Sequence, residues 1–135
     1  MTASASEVTM AGLRVLIVED EPLLAMCLGE VLEDGGCVVV GTVGRLAEAV
    51  ARVAAGGFDV AVLDLNLYGE SSAPVATALV RGGNGVVFAT GSTAAEVPAE
   101  FRDWPVLCKP YRDSDVLTAL AAARNTQLSE RQSVD

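Results

Sequence analysis

LRVLIVEDEP, residues 13–22, is the stretch from which the fold can be read. Residues 13–18 are a nearly continuous run of apolar, mostly branched side chains, the pattern of a strand buried on both faces of a parallel sheet. Three acids follow, then Pro22. A proline in the first turn, with acids at the positive end of the dipole, starts a helix. That helix is expected to run to about Glu33 and stop at Asp34-Gly35-Gly36. The strand–helix unit then repeats. Residues 37–43 (CVVVGTV) read as a second strand. Residues 45–55 read as a second helix, with Leu46, Ala49, Val50 and Val53 on one face. Residues 59–63 (DVAVL) give a third strand, and residues 72–81 a third helix with Pro74 in its first turn. Residues 85–89 (GVVFA) and 106–108 give the fourth and fifth strands. The helical pattern between them, over residues 94–101, is short and broken by Pro98. A last helix is expected over residues 115–124, capped by Asp113 or Ser114. Residues 1–12 read as a disordered small-residue arm, residues 13–124 as the folded domain, and residues 125–135 as a frayed polar tail. Strands alternating with helices in this way imply an α/β fold, a parallel sheet covered on both faces.

Composition narrows the function. The 135 residues fit one domain, and 51% hydrophobic residues with only 4% aromatics make a core of Ala, Val and Leu. Eighteen acids against nine bases give a net charge of −9. Such a surface repels phosphate backbones and anionic lipid, so nucleic acid is not an expected partner. Histidine is absent, which excludes Ser-His-Asp and Cys-His catalysis and a phosphohistidine on this chain. Cys27, Cys37 and Cys108 are odd in number and lack zinc spacing, so cytosolic, mostly buried thiols are expected rather than disulfides or a metal knuckle. The N-terminal residues match neither a signal peptide nor a membrane span, and a cytoplasmic protein is expected.

Ligands of such a sheet bind beyond the carboxyl ends of its strands. The first strand ends in Glu19-Asp20, the third in Asp64, the fourth in Thr90 and the fifth in Lys109, the sole lysine. Three carboxylates gathered on one rim repel unless a cation joins them. Hard oxygen ligands with room for water suit Mg²⁺. Asp20 and Asp64 would bind it directly, Glu19 through water, and the backbone carbonyl of Asn66 stands within reach. A carboxylate beside Mg²⁺ can attack a phosphoryl group and retain it as an acyl phosphate. Lys109 and the Thr90 hydroxyl would then donate to the phosphoryl oxygens. Each residue alone has a plainer reading: acids before Pro22 as helix caps, Asp64 as a loop starter, Thr90-Gly91-Ser92 as a turn, Lys109 as a solvated strand end. Their coincidence at the ends of strands one, three, four and five favours chemistry.

The segments VLIVEDEP (15–22), VLDLNL (62–67), FATG (88–91) and CKPY (108–111) resemble the receiver domain of bacterial two-component response regulators, over residues 13–124. The resemblance implies a flavodoxin-like (βα)5 fold, a doubly wound parallel five-stranded sheet in the order 2-1-3-4-5. It implies Asp64 as phosphoacceptor, Glu19 and Asp20 as the acid pair, and Thr90 as the switch hydroxyl. It further implies a phosphate-sensing Lys109 joined to Pro110 by a cis bond. FATG, followed by Val97-Pro98, Phe101, Pro105 and Lys109-Pro110, resembles the FAT GUY single-domain regulators, which feed phosphosignalling, often in general stress responses. Two positions depart from that pattern: Ser92 and Val106 stand where aromatics are usual. The stretch from Thr90 to Lys109 is also about a turn short, so a stunted fourth helix and an altered partner surface, around Gly91, Ser92, Val106, Pro110 and Tyr111, are expected. The implied function is Mg²⁺-dependent phosphoryl acceptance from a histidine kinase or phosphotransfer protein. Output would pass through an unknown downstream protein or a phosphate relay, with the chain a monomer or weak dimer. Slow self-dephosphorylation is expected, but not enzymatic turnover. Two alternatives stand beside it. A pseudo-receiver would work without phosphate. A haloacid-dehalogenase-like phosphatase needs a second acid two residues after its aspartate, where Asn66 stands here. Cys108 is read as a packed strand residue rather than a reactive thiol, and Trp104 as cover for the sheet edge.

Overall fold

A computed structural model describes residues 10–91 and 94–132 of the chain. Its first strand–helix unit is β1 (Arg14–Val18) followed by α1 (Pro22–Asp34), with Pro22 opening the helix as the sequence requires. β2 (Val38–Val43), α2 (Leu46–Ala55) and β3 (Val60–Asp64) follow. A short hairpin, β4 (Asn66–Leu67) with β5 (Glu70–Ser71), precedes α3 (Ala73–Arg81). The chain closes with β6 (Gly85–Thr90), β7 (Val106–Cys108) and α4 (Asp113–Gln132).

The five long strands form one parallel sheet in the order β2-β1-β3-β6-β7, which is 2-1-3-4-5 once the hairpin strands are set aside. The chain reverses direction across the sheet after β2. Because parallel crossovers are right-handed, that reversal sends helices to opposite faces. Accordingly α1 packs with α4, and α2 with α3. Central strands β3 and β6 are buried along their whole length, as continuous apolar runs must be when both faces are covered. β2 is an edge strand and none of its residues is fully buried. On α2, Ala49 and Val53 face the core, whereas Val50 is exposed.

Three expectations change. The fourth helix is not merely short. Residues between β6 and β7 form two three-residue 3-10 turns, Ala94–Glu96 and Ala99–Phe101. Pro98 separates them, since it lacks an N–H and disfavours helix at the residue before it. The segment is anchored by Val97, Phe101 and Trp104, all buried, with the Phe101 ring centroid 5.7 Å from that of Phe88 on β6. Trp104 is thus a core residue.

Second, the last helix does not end at Arg124 but runs to Gln132, so the expected frayed tail is helical over residues 125–132. The cause is Gln127, which is fully buried. Its amide donates to the carbonyls of Asp59 and Gly83, both at 2.9 Å, and its Oε1 accepts from Arg124 at 2.8 Å. A polar side chain can be buried there because its amide and oxygen are all hydrogen-bonded. Residues 133–135 lie outside the described residues, as does the expected arm over residues 1–9. Met10 packs against the core, and Gly12 N–H bonds the Gly36 carbonyl.

Third, only Cys37 is buried; Cys27 and Cys108 are exposed. Cys108 lies on edge strand β7, where Leu107 takes the inward position and its neighbours alternate outward. No described helix is long and apolar enough to cross a membrane.

Gln127→Ala removes the amide that joins the β3 and β6 entry loops, and should lower stability by about 1–3 kcal/mol. Ser72→Ala should leave stability unchanged or raise it by about 1 kcal/mol, because the buried Ser72 hydroxyl has no partner among the described residues. Urea unfolding of both variants checks the pair.

Candidate functional site

The reversal of strand order places a crevice between the carboxyl ends of β1 and β3. Glu19 and Asp20 follow β1 directly, and Asp64 is the last residue of β3. One carboxylate oxygen from each of the three lies within 4.8 Å of the others. Glu19 and Asp64 are buried, while Asp20 is half-buried at the rim.

Lys109, just past β7, reaches back across the sheet. Its Nζ stands 2.7 Å from Asp64 Oδ2 and 3.0 Å from Glu19 Oε1. The second oxygens of both acids take backbone donors, Glu21 N–H on Glu19 Oε2 and Asn66 N–H on Asp64 Oδ1, each at 3.1 Å. Lys109 is itself fixed by its N–H on the Thr90 carbonyl at 2.7 Å, and its bond to Pro110 is cis. One ammonium therefore serves two of the three carboxylates. Burial pushes the Glu19 carboxyl up to about 7, with the Asp64 charge adding to the rise, against the pull of the Lys109 and Glu21 hydrogen bonds. Burial alone would lower Lys109, but its hydrogen bonds to Asp64 and Glu19 outweigh it and carry the amine up to about 12.

The other expected residues fall around this centre. Thr90 ends β6 and is buried, and Gly91 follows it exposed. Val106 is half-buried and pairs in register with Phe88. Tyr111 is half-buried in a groove against α1, with Leu24, Cys27 and Leu28 across from it, and Pro110 is exposed beside it. Burial raises the Tyr111 phenol. Ser92 lies outside the described residues. Asn66 contributes its N–H to Asp64, and its side-chain oxygen accepts from Gly69 N–H at 2.8 Å. Two participants carry no sequence signal. Tyr68 donates its backbone N–H to Asp20 Oδ2 at 2.8 Å, and the Arg45 guanidinium stands over the Tyr68 ring. Gly69 after Tyr68 marks a turn, but no motif announces what the turn grips.

The oxygen set is hard and close-spaced, its charge exceeds what Lys109 neutralises, and it fits a divalent cation with some ligands left to water. A family model described as the response regulator receiver domain matches residues 15–121. No curated protein matches the chain in sequence. Among solved structures, SdrG from Sphingomonas melonis Fr1 is 49% identical, with a TM-score of 0.75, covering 86% of this chain and 98% of that one. The BeF3-activated conformation of SdrG, from Pseudomonas melonis Fr1, is 46% identical with a TM-score of 0.71, covering 87% and 98%. The response regulator PhyR from Brucella abortus is 25% identical with a TM-score of 0.76, covering 90% of this chain and 51% of that one.

The raised Glu19 carboxyl has a consequence for stability. An unfolded chain ionises Glu19 near 4.5, whereas the fold keeps it protonated up to about 7. Stability is therefore lost as pH rises through that window. Without divalent cations, Glu19→Gln should match the wild type at pH 4 and exceed it by about 1–3 kcal/mol at pH 8. Urea unfolding at the two pH values measures the difference, and an equal offset at both would contradict the assignment.

Proposed function

This chain belongs to the response regulator receiver domain family, and on that premise we propose that Asp64 is a phosphoryl acceptor served by a separate histidine kinase or phosphotransfer protein. The observation that carries the reading is the pairing of Asp64 with Lys109 and Glu19 beside Asp20, at the switch point of the sheet. Asp20, Asp64 and the Asn66 carbonyl would hold Mg²⁺, with Glu19 reaching it through water. Bound there, Mg²⁺ would supply charge neutralisation for the transferring phosphoryl group.

The chain's own residues do the rest. A carboxylate oxygen of Asp64 forms a bond to phosphorus as the phosphorus–nitrogen bond of the donor's phosphohistidine breaks, and the donor imidazole keeps the electron pair. Lys109, protonated far above neutral pH, exchanges its bond to Asp64 for one to a phosphoryl oxygen. The Thr90 hydroxyl donates to another. Drawing Thr90 toward the phosphate shifts the surface that includes Gly91, Val106, Pro110 and Tyr111, and a downstream protein reads that change. The BeF3-activated form of SdrG supports the same reading. Asn66, an amide where an aspartate-nucleophile phosphatase needs an acid, argues for a carrier with slow self-hydrolysis rather than an enzyme. The setting we assign is a cytoplasmic single-domain regulator or phosphate relay in general stress signalling, as the FATG signature implies.

Incubation with acetyl phosphate and Mg²⁺ tests the proposal. Wild type should acquire hydroxylamine-labile phosphate and Asp64→Asn should not. Labelling of Asp64→Asn, or none on wild type, overturns it. Because a nearby cation would favour ionised Glu19, Mg²⁺ affinity should weaken as pH falls below about 7. Calorimetric titration between pH 6 and 8 reads that trend.

A further inference from the structure

Tyr68 stands four residues after Asp64, on the turn between β4 and β5. Its φ is 51°, and it is the non-glycine residue with positive φ among the described residues. A left-handed backbone is strained for an aromatic residue, and strain of this kind collects where neighbouring contacts hold it for a purpose. Those contacts converge on Asp20. The Tyr68 N–H donates to Asp20 Oδ2 at 2.8 Å, and its hydroxyl donates to the Asp20 carbonyl at 3.3 Å. The Arg45 guanidinium lies 5.4 Å from the centroid of the Tyr68 ring, within cation–π range. Behind Asp20 stands Gly44, where a Cβ would come within 3.3 Å of Asp20 Cα and 3.2 Å of the Glu19 carbonyl. The start of α2 and the hairpin turn thus close on Asp20 from two sides.

Lys109 orients Glu19 and Asp64, whereas the Asp20 carboxylate takes its hydrogen bond from Tyr68. We propose that Tyr68, steadied by Arg45, is a positioning residue for the cation site: it sets the Asp20 carboxylate against Glu19 and Asp64 before a cation arrives. This rests on the reading of the notch as a Mg²⁺ site. The turn accepts a strained backbone because its N–H then points at Asp20. The ring and hydroxyl keep it there, so Asp20 loses little freedom on binding.

The test uses the full chain, stripped of metal. Calorimetric titration with Mg²⁺ should give a dissociation constant raised about three- to tenfold in Tyr68→Gly, and less in the exposed-residue variant Arg45→Ala. Tyr68→Phe, which keeps the ring beneath Arg45, should recover most of the wild-type affinity. In EDTA, amide exchange at position 68 should be slow in wild type and Tyr68→Phe, and faster in Tyr68→Gly. Glycine relieves the backbone strain, so its thermal midpoint should equal or exceed that of wild type. Wild-type affinity in both Tyr68→Gly and Arg45→Ala overturns the clamp while leaving the cation site in place. A wild type that binds no Mg²⁺ overturns the site and the clamp together.

Discussion

The Lys109 ammonium, 2.7 Å from Asp64 and 3.0 Å from Glu19, is what allows this sheet to end as it does. Strand order places the carboxyl ends of β1 and β3 side by side, with Glu19 directly after β1 and Asp64 as the last residue of β3. Two buried carboxylates at that spacing repel strongly in a poorly solvated crevice. One cation from the far edge of the sheet bridges them. Backbone contacts hold that bridge in place. The Thr90 carbonyl fixes the Lys109 backbone, and backbone donors occupy the outer carboxylate oxygens. Burial, with a smaller push from the Asp64 charge, holds the Glu19 carboxyl well above the usual carboxylate range despite the Lys109 bond.

On the proposed reading, the same arrangement would let a site lacking histidine handle phosphate. No group would need to cycle a proton near neutrality to act as general base, because a carboxylate would itself be the nucleophile. Positioning and charge are what phosphoryl transfer requires of a protein. Here they come from two unlike sources. Lys109 supplies charge through a long flexible side chain. Backbone N–H groups of Glu21, Asn66 and Tyr68 supply direction from turns locked by local geometry.

Much of this was legible in the sequence, for reasons that also mark its limits. Apolar runs ending in Glu19-Asp20, Asp64, Thr90 and Lys109 named the rim, because a strand buried on both faces has a simple signature and the next residue stands at its mouth. Where polarity was taken as a proxy for exposure, it misled. Gln127 looked like tail and is among the most buried side chains, because two loop carbonyls needed a donor. Cys108 looked packed and is exposed, because an edge strand turns alternate residues outward. The 3-10 turns around Pro98 follow from a proline visible in the sequence, yet the anchoring by Val97, Phe101 and Trp104 depends on packing no periodicity reveals. Tyr68 was invisible altogether, since neither its positive φ nor its contacts with Asp20 and Arg45 leave a motif in the sequence.

Edge strand β2 has a neighbour on one side only, and its six residues, VVVGTV, carry neither charge nor proline. A row of backbone groups left open in that way is a template on which another molecule could stack. The excess of acids, net −9, makes copies of this chain repel one another. Colloidal dispersal is thus a second service rendered by the anionic surface, and it fades near the isoelectric point of about 4.3, where solubility should pass through its minimum.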